Sequence, residues 1–231
     1  MKPACSILGN PAWDLCGFAI GLGLAWTLDW QTRDLVWGLW LSSLVIGYLS
    51  IVFGILGGIN RTVIDNHPIG WLIGLGGGLF LLAFFTVHFG GFHFGHSVFL
   101  NMFFPIAPEA ERGLGPGLDG YLTVLANYWP WLFAAAIAER SMLEKAWHGS
   151  MKNEPGRDKP HSMARPAFNP MSAYVNVIRM HILIFFFAGT AAAGIENFAI
   201  YAVVYAVYFF PWSLAKSWFT ARKTAAMGEG A

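Results

Sequence analysis

A chain of 231 residues, 56% hydrophobic and only 12% charged, is too apolar for a soluble domain, in which charged residues average about 25%. Its mean hydropathy is +0.51, and its 20 Phe and 11 Trp suit a lipid-facing surface with aromatic side chains at the membrane interfaces. A formal charge of +1 gives no case for nucleic acid, which needs a basic face, and the two cysteines, Cys5 and Cys16, match no metal or redox spacing.

Six apolar segments follow in chain order, at about 13–30, 35–58, 69–104, 121–143, 172–194 and 198–218. They predict one all-α domain, a polytopic transmembrane helix bundle. The first is expected to be a retained anchor, because one Lys precedes it and no clear small-residue cleavage site follows. Cys16 within it reads as a small packing residue. Gly17 and Gly21 share a face there, as Gly70, Gly74 and Gly78 do in the third segment, and such spacing lets backbones approach closely.

The third segment, 69–104, carries no Asp, Glu, Lys or Arg. As one helix it would run roughly 54 Å, against a hydrocarbon core of about 30 Å. It must tilt, project or break, and Gly90-Gly91 is the expected break. Whether it counts as one span or two is settled by basic residues, which favour the cytoplasmic side. With six spans, eleven basic residues fall on one side and only Arg33 and Arg112 on the other. Seven spans would split the basic 140–165 stretch from the basic tail. Six spans with both termini cytoplasmic is therefore the expectation, in a bacterial or archaeal inner membrane. Residues 144–170, rich in Pro, Lys, Arg, Asn and Gly, form the expected cytoplasmic loop.

Three histidines, His88, His93 and His96, stand inside the charge-free third segment. Ionisable groups in such a run are costly and point to a functional site. On an unbroken helix His88, His96 and His93 lie at about 0°, 80° and 140°, one broad face, with His88 and His96 about 12 Å apart along the axis. A single centre needs a partner from another span. The fifth segment supplies His181, and centring both segments in the bilayer puts His88 and His181 at similar depth. Imidazole ligates Zn, Cu, Fe and haem iron. The pair His88 and His181 is thus read as a cofactor site, for haem b or a transition metal (Cu, Fe, Zn), with His96 and His93 as further metal candidates and Glu196 as the nearest carboxylate. Arg179, a costly charge in the fifth segment, is expected to snorkel or to pair with Glu139 or Glu144.

No Walker loop, GxSxG, HExxH or CxxCH is present, and no enzyme class is assigned. Two other readings stand beside the histidine site. One is a cofactor-free accessory or structural subunit, with other membrane subunits or further copies of the chain as partners besides the bilayer. The other is a proton or small-solute conduit with neutral histidines as relays.

Residues 88–99 read HFGGFHFGHSVF. They resemble the pattern His-aromatic-Gly-x-Phe-x-x-x-His-x-x-Phe of an uncharacterised family of prokaryotic polytopic membrane proteins, a domain of unknown function. The matching positions are His88, Phe89, Gly90, Phe92, His96 and Phe99, and the likeness continues around His181 and at Lys216. His93 falls where the pattern is open. The resemblance implies a fold type and a histidine motif, without an activity.

Overall fold

The computed structural model describes residues 11–64, 69–106, 115–149, 171–194 and 198–209. Among the described residues there are eight helices and no strand: α1 (Pro11–Thr27), α2 (Thr32–Ile64), α3 (Gly70–Phe103), α4 (Gly117–Tyr128), α5 (Trp131–Ala138), α6 (Arg140–Gly149), α7 (Met171–Ala192) and α8 (Phe198–Phe209).

The corner between α1 and α2 is built from local chemistry. The Trp30 N–H donates to Ala25 O at 2.8 Å and the Asp29 N–H to Trp26 O at 3.3 Å, with Asp29 at φ 51°. This is a Schellman stop, with Asp in the left-handed position that glycine usually fills. Ala25 and Trp30 are both buried in the main core, the apolar contact that goes with this motif. Four residues on, Asp34 reaches back to accept the Gln31 N–H at 2.8 Å, half of a capping box that starts α2.

α2 is the axis of the bundle. It packs against α3, α4, α5, α6, α7 and α8, and its most apolar window is 56% buried, whereas that of α3 is only 11% buried. That is why positions 35–43 are buried without interruption: a helix hydrophobic all round belongs in the middle. Two α2 indoles fasten α3 to it. Trp40 Nε1 donates to His93 O at 2.9 Å and Trp37 Nε1 to Phe104 O at 2.8 Å. A Cβ on Gly47 would run into the Phe89 ring, so glycine there is the notch that admits Phe89. Gly17 and Gly21 meet Ala134 and Ile137, and Tyr205 and Trp131, respectively, so this glycine face packs within the chain.

Two helices are long and apolar enough to cross a membrane, α2 over Thr32–Asn60 and α3 over Leu72–Phe103. A third is added if α4 and α5, bent by 70° at their junction, form one span. Shorter apolar runs occur at Ala12–Thr27, His181–Thr190 and Phe198–Val207. These helices show a membrane-type bundle with two or three candidate spans, fewer than the six expected.

Two expectations are corrected. The 121–143 segment is not one helix but parts of α4, α5 and α6. Pro130 divides the first two, since it has no N–H to donate and its ring clashes with the preceding turn. Conversely, α3 runs unbroken through Gly90-Gly91. A break would strand backbone groups that lipid cannot satisfy, and Gly90 instead allows the close approach of Tyr48, whose hydroxyl would lie 3.1 Å from a Cβ there. The expected loop 144–170 is helical as far as Gly149, and its remainder lies outside the described residues. So do Lys216 and Glu196, and the side chain of Arg179.

Asp14, near the start of α1, forms an ion pair with Arg140 at the start of α6. Arg140 also donates to Ile137 O at 2.7 Å. α1 and the α5–α6 junction are thereby held at one level.

Candidate histidine site

The inward stripe of α3 is Phe85, Phe89, His93, His96, Leu100 and Phe104, all buried. Steps of four and three residues follow the helical repeat. His93 and His96 are therefore on the side covered by α2 and α7, while His88 falls at the margin. It is exposed, stacked on Phe84 at 5.5 Å and edge-on to Phe92 at 5.2 Å.

His93 is 1% exposed and both its nitrogens have protein partners. Nδ1 lies 3.1 Å from Phe89 O. A carbonyl only accepts, so Nδ1 carries the proton. Nε2 lies 3.2 Å from Ser43 Oγ and accepts from that hydroxyl. The tautomer is fixed, and neither nitrogen is left to reach a ligand. One turn away, Ser97 Oγ donates to Phe94 O at 2.7 Å and accepts from the Tyr121 hydroxyl at 2.7 Å. Tyr121 in turn stacks on Trp40.

His96 differs. It is 2% exposed, and its Nε2 lies 2.9 Å from Nδ1 and 3.0 Å from Nε2 of His181, with the rings nearly perpendicular at 80°. Its Nδ1 is buried without a hydrogen-bond partner among the described residues. Between two neutral imidazoles only one proton sits in the contact. If His96 donates through Nε2, its Nδ1 is a bare acceptor. If it accepts there, its Nδ1 is an unmet donor. The pair has one buried polar position to spare, an uncommon feature that asks for a reason.

The pair lies on a cleft of about 420 Å³ between α3 and α7. Val87, Phe92 and Phe99 form its apolar sides, and Gly91 and Gly95 its floor. His88 lines it together with His96 and His181. Thus His181 was expected opposite His88, and its ring partner in the structure is His96. The four histidines read from the sequence come together unevenly: His96 touches His181, His93 is 5.9 Å from His96 between ring centres, and His88 stands on the cleft wall.

The residues do not fit a haem held between this pair. Axial ligands at about 2.0 Å each need nitrogens about 4 Å apart across the iron, more than the 2.9 Å found. A smaller ion held from one side needs neighbouring nitrogens about 3 Å apart, which the pair meets. Among the described residues, however, no three His, Cys, Asp or Glu side chains group to hold a metal ion. Ser43, Ser97, Tyr121 and Trp40 were not anticipated from the sequence. Ser43 and Trp40 lie three residues apart in α2, and that i, i+3 polar–indole pair on one face was the available signal.

Fold and site together define an α-helical protein of membrane type with a partly buried histidine pair at a helix seam. Within that class, a family of unknown function (DUF6498) matches residues 16–215, and the chain belongs to it. The match covers most of the chain, including the 88–99 histidine run. No curated protein and no solved structure matches the sequence.

Proposed function

We propose that this is an integral membrane protein of six spans with cytoplasmic termini, and that the His96–His181 pair relays protons within it. The carrying observation is the 2.9 Å contact between two imidazoles on a cleft whose described lining holds no Asp, Glu, Lys or Arg. A neutral imidazole donates at one nitrogen and accepts at the other, so a proton taken up on one side is released on the other. His181, the more exposed partner, is the entry. His96 passes the proton across the contact, and its unpartnered Nδ1 is the continuing position. His93, fixed by Phe89 and Ser43, keeps α3 in register. Six spans are supported by the one-sided distribution of basic residues and by the shared level of Asp14 and Arg140.

The test is proton flux through purified protein in liposomes. Flux should fall in His96→Ala and in His181→Ala, and flux that survives their joint removal would overturn the relay.

A second reading is favoured by the spacing of the same nitrogens: a transition-metal ion (Cu, Fe or Zn) held from one side by His96 and His181. Elemental analysis of the purified protein tests it, expecting metal that is lost on His181→Ala. A metal-free protein would defeat it.

A further inference from the structure

We infer that the cleft between α3 and α7 binds a flat, lipid-soluble carbonyl compound of the quinone class, its ring lying over Gly91 and Gly95 and one carbonyl oxygen meeting the His96–His181 pair. This deepens the reading above by naming what the pair serves, and it rests on the pair being a working polar site.

Three observations carry it. The first is access. Val87, Phe92 and Phe99 are 79%, 43% and 47% exposed, so the cleft opens along the apolar outer side of α3, and its occupant arrives dissolved in lipid. The second is shape. Gly91 and Gly95 are one turn apart on the same helix face, and a Cβ built on either meets no atom within 4 Å. Bare backbone with open space above it makes a flat shelf, and its aromatic flanks suit a planar ring, which packs against aromatic faces in offset or edge-on geometry. The volume, about 420 Å³, lies in the ordinary range of small-molecule pockets.

The third is the chemistry of the head group. The described residues lining the cleft include no Asp, Glu, Lys or Arg, only imidazoles. Among the described lining residues a fatty-acid carboxylate or a phospholipid phosphate would meet no cation, which is expensive in low dielectric. A neutral carbonyl needs one N–H donor, and His96 and His181 share a proton that either can present.

The test is direct binding of menadione and of decylubiquinone to the full chain in detergent, followed by quenching of tryptophan fluorescence, with oleate as the competing amphiphile. Saturable quenching is expected, unaffected by oleate. Gly91→Leu and Gly95→Leu each fill the shelf and should weaken binding about tenfold or more, and His181→Ala should weaken it by about tenfold through the lost hydrogen bond. Gly23→Ala in α1, outside the cleft lining and with nothing within 4 Å of the added Cβ, serves as the folded control, and melting temperatures check that each variant folds. Displacement by oleate, or binding by Gly91→Leu, Gly95→Leu and His181→Ala that equals the control, would overturn the proposal. If quinone binds while liposomes carry no histidine-dependent flux, the relay falls and this site stands. If flux depends on His96 while no quinone binds, this site falls and the relay stands.

Discussion

The Nε2 atom of His96 lies almost equally far from both nitrogens of the His181 ring, 2.9 Å from one and 3.0 Å from the other, with the two rings at 80°. The N–H and lone pair of His181 lie in its own ring plane, so proton exchange requires that ring to turn one nitrogen toward His96 rather than a movement of helices. That separates this pair from His93, whose two nitrogens are committed to different partners.

The pair should therefore matter for activity more than for stability. Replacing both partners of a buried hydrogen bond by apolar groups of similar size is close to neutral, whereas removing one strands the other at about 1–3 kcal/mol. The double variant His96→Leu/His181→Leu is expected to melt within a few degrees of the parent yet lose histidine-dependent proton flux. Thermal melts and liposome flux on the same preparations decide it.

His93 should show the opposite pattern. His93→Ala leaves a cavity in the core of α2 and α3 and deprives Ser43 of its acceptor, a loss of about 2–4 kcal/mol. Flux per folded molecule is expected to stay at the parent level. A denaturation series with flux normalised to folded protein checks both parts.

Helix contact at the glycine notch gives a contrast between two Gly→Ala changes. At Gly47 the new methyl group would strike the Phe89 ring, whereas at Gly23 it meets nothing within 4 Å. Gly47→Ala should destabilise by about 1–3 kcal/mol through overpacking. Gly23→Ala should be neutral or stabilise by up to about 1 kcal/mol through helix propensity. A lowered melting temperature for Gly47→Ala and an unchanged or raised one for Gly23→Ala are the expected result.

The Asp14–Arg140 pair joins the start of α1 to the start of α6. The Arg140 side chain is 11% exposed and that of Asp14 36%, so solvent screens part of the attraction. A double-mutant cycle with Asp14→Asn and Arg140→Gln is expected to give a coupling of about 1 kcal/mol. Additive effects would show that the contact contributes only position.

Six spans place Arg33 and Arg140 on opposite sides of the bilayer. Single cysteines introduced at positions 33 and 140 in a background without Cys5 and Cys16 should react with a membrane-impermeant reagent from opposite faces of sealed vesicles. Labelling of both from one face would refute the topology.

Some of the architecture was legible in the residues because its causes are local. The charge-free run around His88, His93 and His96 gave a long helix in a membrane-type bundle, since apolar length and the helical repeat need no partner to be read. Pro130 parts α4 from α5 within an apolar run whose composition, alike on both sides, argues for continuity. Gly90-Gly91 shows the converse: two glycines permit a break, but α3 stays helical where Tyr48 of α2 packs against Gly90 and Phe89.

The sequence by itself determined that imidazoles would stand among apolar helices, because residue type and spacing along one chain fix composition and face. Only the tertiary structure decided which of them meet. Centring each segment in the bilayer paired His88 with His181. The ring that touches His181 is His96, eight residues on, about 12 Å further along the axis. That offset depends on how neighbouring helices slide and rotate against each other. The α3 side of it is fixed against α2 by Phe89 in the Gly47 notch and by the Trp40 indole on the His93 carbonyl, contacts between residues more than forty positions apart that no local pattern encodes.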